Sequence, residues 1–223
     1  MSSYWGRLAV KSIRDAFPEK TNKVLNDIEA LDKVWVKEAP DEMHSYGRMP
    51  GEKYLRLWSV PESTGAFLNW YCKINNIKNV FEIGTSAGYS TLWIAEAIKH
   101  IDGGGVLTCD IHQEKSIMAK KHIKYAGLED CVNIENMDAL MLIKQIPINF
   151  YDMYFFDADK ENYLGYLSLI ESSSKKSVTV IVDNAVDSGG LMLDFINYML
   201  FSDVWYFYIF DFDNGILVAK KNT

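Results

Sequence analysis

Three stretches of this 223-residue chain carry side chains able to do chemistry. Glu82-Ile83-Gly84-Thr85-Ser86-Ala87-Gly88-Tyr89-Ser90 couples an acid to a glycine-containing loop. Asp157-Ala158-Asp159-Lys160-Glu161-Asn162-Tyr163 gathers acids around one lysine, and Asp183-Asn184 closes an apolar run on an acid and a carboxamide. The loop spacing is G-x-x-x-G, which misses the G-x-G-x-x-G of dinucleotide sites. Gly84 and Gly88 let a ligand approach the backbone closely. Glu82, two residues before Gly84, would repel a pyrophosphate and suits a cationic ligand. S-adenosylmethionine, with its ammonium and sulfonium, is such a ligand. Asp110 ends the next apolar run and is placed to accept hydrogen bonds from both ribose hydroxyls; Met137-Asp138-Ala139 falls near where an adenine ring would lie. The plain alternative is that the glycines only make a turn and the acids face water.

Asp157 and the Asp183-Asn184 pair each follow an apolar run. If those runs are adjacent strands, two carboxylates and one carboxamide converge as three hard oxygen ligands. Mg²⁺ is the first expectation for such a set, with Mn²⁺ or Ca²⁺ as alternatives. Without a cation, two crowded carboxylates would repel and one pKa would rise. Any single Asp at a strand end caps a helix or faces water more often than it binds metal. Lys160, three residues beyond Asp157, can accept or guide a proton beside a metal-held hydroxyl. Its ordinary alternative is a surface pairing with Asp159 or Glu161.

These residues need a scaffold, and the hydrophobic pattern supplies one. Val24, Leu25, Ile28, Leu31 and Trp35 recur at helical spacing over 19–35. Pro40, Gly47, Pro50, Gly51 and Pro61 make 38–61 a loop-rich connector, with one short helix around Lys53–Trp58. A helix runs from Glu62. Short apolar runs at 79–83, 106–110, 132–135, 151–156 and 177–182 read as strands. They alternate with helices over 90–99, 114–125, 138–145, 161–171 and 189–200. Two last strands, about 204–211 and 215–220, are joined by Asp213-Asn214-Gly215, a tight-turn signal. Apolar strands alternating with helices predict a parallel sheet covered on both faces. With right-handed crossovers this is a doubly wound, Rossmann-like α/β fold of seven strands, in which the terminal hairpin adds an antiparallel edge strand. Residues 1–58 read as an N-terminal helical segment for the acceptor pocket or a dimer contact, and 59–223 as the cofactor-binding domain.

The bulk numbers narrow the partners. Net charge is -7, which repels phosphate backbones, so no nucleic-acid partner is expected. No stretch approaches the ~20 apolar residues of a membrane span, and Met1–Phe17 has no signal-type apolar core, so a cytoplasmic protein is expected. Cys72, Cys109 and Cys131 form no CxxC pair and read as reduced, buried thiols.

Val80–Ala95, Leu107–Ile111, Tyr151–Tyr163, Val180–Asn184 and Asp213–Lys220 together resemble the cation-dependent class I O-methyltransferases that include the caffeoyl-CoA and catechol enzymes. The likeness is greatest to the bacterial branch of that family and runs from about Pro61 to the C-terminus. It implies S-adenosylmethionine contacts at Glu82, Gly84, Ser90, Asp110, Ala139 and Asp159. It implies metal ligation by Asp157, Asp183 and Asn184, a base role for Lys160, the same doubly wound fold and a homodimer. Plant relatives continue Thr-Leu-Trp-Asn-Gly after the Asp-Asn pair, where this chain reads Ala185-Val186-Asp187-Ser188-Gly189. Ser188 stands where the plant enzymes touch substrate through asparagine, so phenylpropanoid-CoA specificity does not carry over.

The expected reaction is a direct displacement on a small-molecule acceptor, with Asp157 and Lys160 at the reacting hydroxyl. Trp35, Trp58 and Trp205 are candidates to stack on a planar acceptor, although core or dimer packing is the commoner role for any one of them. The rival readings are a metal-independent methyltransferase acting on another nucleophile, a non-catalytic S-adenosylmethionine-binding module, and an NAD-dependent oxidoreductase. The last is disfavoured by the loop spacing and by Glu82.

Overall fold

The computed structural model describes residues 4–38, 56–147, 149–174, 177–186 and 190–222. Helices α1 (Tyr4–Asp15), α2 (Glu19–Glu38) and α3 (Glu62–Ile74) precede the sheet. Strands β1 (Asn79–Ile83), β2 (Gly105–Cys109), β3 (Val132–Glu135), β4 (Met153–Phe156) and β5 (Thr179–Val182) then alternate with α4 (Tyr89–Ile98), α5 (Gln113–Ala126), α6 (Ala139–Ile143) and α7 (Tyr163–Ser173). Helix α8 (Leu193–Phe201) leads into β6 (Trp205–Phe210) and β7 (Ile216–Lys221).

The strands form one seven-stranded sheet in the order β3-β2-β1-β4-β5-β7-β6. Strands β1 to β5 pair in parallel, and β7 runs antiparallel to both β5 and β6. The doubly wound sheet expected from sequence is therefore present. Its antiparallel strand is β7, however, and β7 lies inside the sheet with β6 at the edge. A short turn lets β7 fold back between β5 and β6, a placement that alternation of strand and helix does not encode.

Every residue of β1, β4 and β5 is buried, because helices cover both faces. The side chains divide with a period of two. Val80, Val106, Phe155 and Ile181 meet Leu25, Ile28, Leu68, Trp93 and Ile123 from α2 to α5. Phe81, Tyr154, Phe156 and Val182 meet Tyr163, Leu167 and Phe195 from α7 and α8.

Helix α1 lies within the N-terminal segment expected to be helical, although no helix was delimited there. Val10 and Ile13 only half-bury against the core, and Leu8 is exposed. The helix anticipated near Lys53–Trp58 falls partly outside the described residues, and 56–60 adopts no regular element. The cysteines are free thiols, two of them fully buried, and burial pushes Cys72 and Cys109 up to about 12. No helix among the described residues is long and apolar enough to cross a membrane.

Candidate functional site

The strand order switches sides between β1 and β4, the point where open α/β sheets bind ligands in a crevice at the strands' carboxyl ends. The glycine loop leaves β1 into this crevice. Gly84 has φ of +103°, and a Cβ on it would sit 2.0 Å from the Asp157 carbonyl oxygen. Its glycine is therefore required by the chain's own loop after β4, which presses against it from the side. Gly88 also has positive φ, at +87°, and starts α4.

Glu82 is fully buried beneath this loop. Ser90 Oγ donates to its Oε1 at 2.6 Å, and Thr91 Oγ1 donates to Oε2. Burial pushes the Glu82 carboxyl up to about 7, although hydroxyls from Ser90, Thr91 and Thr108 favour its charge. The acid thus ties the first turn of α4 to β1 through Ser90. Asp110 lies just past β2, where Oδ2 accepts from the Ser86 amide and Oδ1 from the His112 amide, each at 2.8 Å. These bonds aim the carboxylate and leave further lone pairs open. Ala139 is buried at the first position of α6, behind Asp138, whose side chain caps the helix by accepting from Met141 N. Asp159 is exposed and accepts from Asn162 Nδ2 at 2.8 Å.

The acidic pair sits one strand further along. Phe156 of β4 is in register with Val182 of β5, so Asp157 and Asp183 occupy equivalent positions one residue beyond adjacent strand ends. Backbone bonds continue the ladder there, from Asp157 N to Ile83 O and from Asp183 N to Phe156 O. Asp183 is 3% exposed, and no described residue donates to its buried Oδ1. Burial first, then the charge of Asp157, pushes the Asp183 carboxyl up to about 7. Asp157 is also raised by burial, against the pull of Lys160 and of Lys115 from α5. Asn184 has φ of +60°, a left-handed conformation that asparagine tolerates better than most residues. A buried carboxylate with an unmet acceptor oxygen beside a partly buried one, and a carboxamide next in sequence, fit a hard cation.

Lys160 Nζ lies 3.5 Å from Asp157 Oδ1 and donates to Ala158 O at 3.3 Å. It pairs with Asp157, where the sequence alternative had Asp159 or Glu161. The Tyr163 hydroxyl accepts from Ala158 N at 3.0 Å and so pins the Asp157–Lys160 loop from below.

Several supporting residues escaped the sequence reading. The hairpin turn holds the loop after β5: Ala185 N donates to Gly215 O at 2.9 Å and Val186 N to Asn214 O at 3.0 Å. Gly215 (φ +85°) has no room for a Cβ, which would lie 2.4 Å from Val186. Asp213 accepts from the Ser63 and Thr64 hydroxyls, which ties the turn to α3. The Asn-Gly turn signal was legible, but its partner loop was not. Of the three tryptophans, Trp58 is half-exposed, and the side chain of Trp35 lies outside the described residues, as does Ser188. Trp205 is not at a rim: it is 4% exposed and its Nε1 donates to Glu171. Its indole is a buried donor that needs a carboxylate, so it is part of the packing.

Comparison with known proteins shows the family and the fold. The profile of the O-methyltransferase family matches residues 37–195. The chain belongs to this family. Among curated members, it is 31% identical to a catechol O-methyltransferase of Niastella koreensis over 137 residues, 60% of this chain and 61% of that protein. It is 28% identical to a catechol O-methyltransferase of Mycobacterium tuberculosis, over 75% of this chain and 76% of the other. Caffeoyl-CoA O-methyltransferase 2 of Eucalyptus globulus is 30% identical, over 69% of this chain and 63% of its own length. The chain thus spans about three fifths of the length of two of these relatives. Two solved structures share the fold. The O-methyltransferase of Bacillus cereus in complex with SAH superposes with a TM-score of 0.70 at 21% identity, over 95% of this chain and 96% of that one. TomG of Streptomyces achromogenes in complex with SAM gives 0.68 at 18% identity, over 87% and 98%.

Proposed function

We propose that this family member transfers a methyl group from S-adenosylmethionine to a hydroxyl of a small acceptor bearing two neighbouring oxygens, with a divalent cation held by Asp157, Asp183 and Asn184. The observation that carries the reading is the Asp157–Asp183 pair at registered strand ends, with Asp183 Oδ1 buried and unmet. Such a pair is costly as bare carboxylates and is relieved by a cation. Mg²⁺ suits an all-oxygen set that leaves positions for substrate. When bound, the cation lowers the pKa of a coordinated hydroxyl and the cofactor supplies the methyl group.

The protein's own part is to hold and orient. Asp110, aimed by the Ser86 and His112 amides, receives the ribose hydroxyls. Gly84 and Ser90 border the methionine portion, and Glu82 contributes its charge through Ser90. Ala139 would back the adenine, and the exposed Asp159 would accept from the cofactor's amino group. Lys160 Nζ, steadied by Asp157 and Ala158 O, guides the acceptor proton, and takes it once its own proton has passed to solvent. Fixing acceptor oxygen and methyl donor in line supplies much of the rate. We place the protein in the cytoplasm, as a homodimer; the exposed Tyr206 and Tyr208 on edge strand β6 favour a pairing surface.

Methyl transfer to a panel of catechols, followed by mass spectrometry with and without EDTA, tests the reading. Product that depends on Mg²⁺ is expected. Transfer unaffected by EDTA would replace this proposal with the metal-independent one. Calorimetric titration that detects NAD but not S-adenosylmethionine would remove it altogether.

A further inference from the structure

Helices α1 and α2 reach the cofactor loop through a chain of polar contacts. Arg14, at the end of α1, is largely buried. Its Nη1 donates to Glu29 Oε1 of α2 at 2.8 Å and also to Glu62 of α3, and its Nη2 donates to Asn26 Oδ1 at 2.8 Å. Glu29 Oε1 accepts a second bond, from the Tyr89 hydroxyl at 2.7 Å. Tyr89 is 3% exposed and is the first residue of α4, between Gly88 and Ser90. The next two residues, Ser90 and Thr91, hold Glu82. A second strap follows the same route. Asp32 of α2 accepts from Ser59 N at 3.2 Å, and the Ser86 hydroxyl of the glycine loop donates to Leu57 O. One face of α2 therefore bears on the helix end of the loop that leaves β1 and, through Leu57 and Ser59, on its middle.

A buried tyrosine hydroxyl has to find an acceptor, but a protein backbone or a water would serve. Here the acceptor is a carboxylate that an arginine orients from a third helix. Charge-assisted bonds of this kind are about twice as strong as neutral ones. Rotating Tyr89 would carry the left-handed Gly88 and the Ser90 hydroxyl with it, because all three belong to the first turn of α4.

We propose that Arg14 and Glu29 are positioning residues for the cofactor loop, acting on it through the Tyr89 hydroxyl. The N-terminal helices in this view set the affinity for the nucleoside cofactor, a task separate from any contact with the acceptor. The inference rests on the cofactor reading above, so its test includes a measurement made without cofactor.

Four variants of the full chain decide it: Glu29→Leu, Tyr89→Phe, their double variant, and Thr21→Val as control. Thr21 lies on the same face of α2 and donates to the buried Glu96 at 2.6 Å, away from the loop. Titration with S-adenosylhomocysteine should show affinity about tenfold weaker in each single loop-side variant. The double variant should be no weaker than the worse single one, since both break one contact. Thr21→Val should lower Tm and leave affinity within about twofold. In the ligand-free proteins, hydrogen exchange at amides 85–92 should speed up in Glu29→Leu and Tyr89→Phe and not in Thr21→Val. The proposal falls if Glu29→Leu weakens binding no more than Thr21→Val does, or if exchange at 85–92 is unchanged. Should the parent itself not bind S-adenosylhomocysteine, the cofactor reading fails and the exchange measurement alone judges the positioning role.

Discussion

Replacing Asp183 by asparagine isolates what the second carboxylate does. In the metal-free protein, burial and Asp157 raise this carboxyl from 3.8 to about 7. A group raised in this direction contributes its stability below pH 3.8 and loses it as pH climbs through about 7. The rise corresponds to roughly 4 kcal/mol set against the fold once the group is ionised. Asparagine keeps the shape, removes the charge and brings an amide that can donate to Asp157. Asp183→Asn should therefore be more stable than the parent by about 2–4 kcal/mol near pH 8 in EDTA, and by under about 1 kcal/mol near pH 4. Mg²⁺ should close most of this gap. At about a hundredfold excess over its Kd a bound ion adds about 2.7 kcal/mol to the parent, and little to a variant that has lost a ligand charge. Urea denaturation followed by tryptophan fluorescence, across pH and with EDTA or MgCl₂, measures all four quantities. Equal stability of the two proteins near pH 8 in EDTA, or an equal gain from Mg²⁺, would refute the reasoning about Asp183.

Other perturbations follow the same logic. Glu82 is raised by burial to about 7, so its contribution to stability declines as pH rises from 4.5 through that value. Glu82→Gln should flatten the stability profile over this window by about 3 kcal/mol relative to the parent, as read by denaturation at successive pH values. Lys160→Met should cut kcat by about a hundredfold or more while S-adenosylhomocysteine affinity stays within about twofold; parallel loss of both would point to a structural lysine. Gly215→Ala forces a Cβ against Val186 in a left-handed backbone. It should cost about 2–4 kcal/mol and weaken Mg²⁺ stabilisation, because the displaced loop carries Asn184. Trp205→Phe leaves Glu171 without its indole donor and should lower stability by about 1–3 kcal/mol with methyl transfer unchanged.

Much of the site was readable because strand ends are where such sheets bind ligands. The acid before Gly84, Asp110 after the second strand, and the Asp157 and Asp183-Asn184 clusters each stand directly after an apolar run. Once the runs are recognised as parallel neighbours, register does the rest: Phe156 beside Val182 puts Asp157 beside Asp183. Glu82 and Gly84 were legible as important but not in their mode of action. Sequence suggested that Gly84 clears space for a ligand; the space is taken by the Asp157 carbonyl. Trp205 takes the packing role that was the commoner alternative, and nothing local reveals that its indole N–H meets Glu171. The bounds of helix α1 were not legible, because Val10 and Ile13 only half-bury and its anchoring comes from Arg14 reaching Glu29 and Glu62.

The order of apolar runs, glycines and acids determined the fold class, the family and the identity of the residues at the crevice, because period-two and helical spacing are local properties of the chain. Tertiary structure decided which carboxylate lies buried with an unmet oxygen, where β7 inserts, and which distant side chains brace the loops. Those outcomes depend on desolvation and on contacts between residues tens to more than a hundred positions apart, such as Ser63 with Asp213. A linear pattern does not record them.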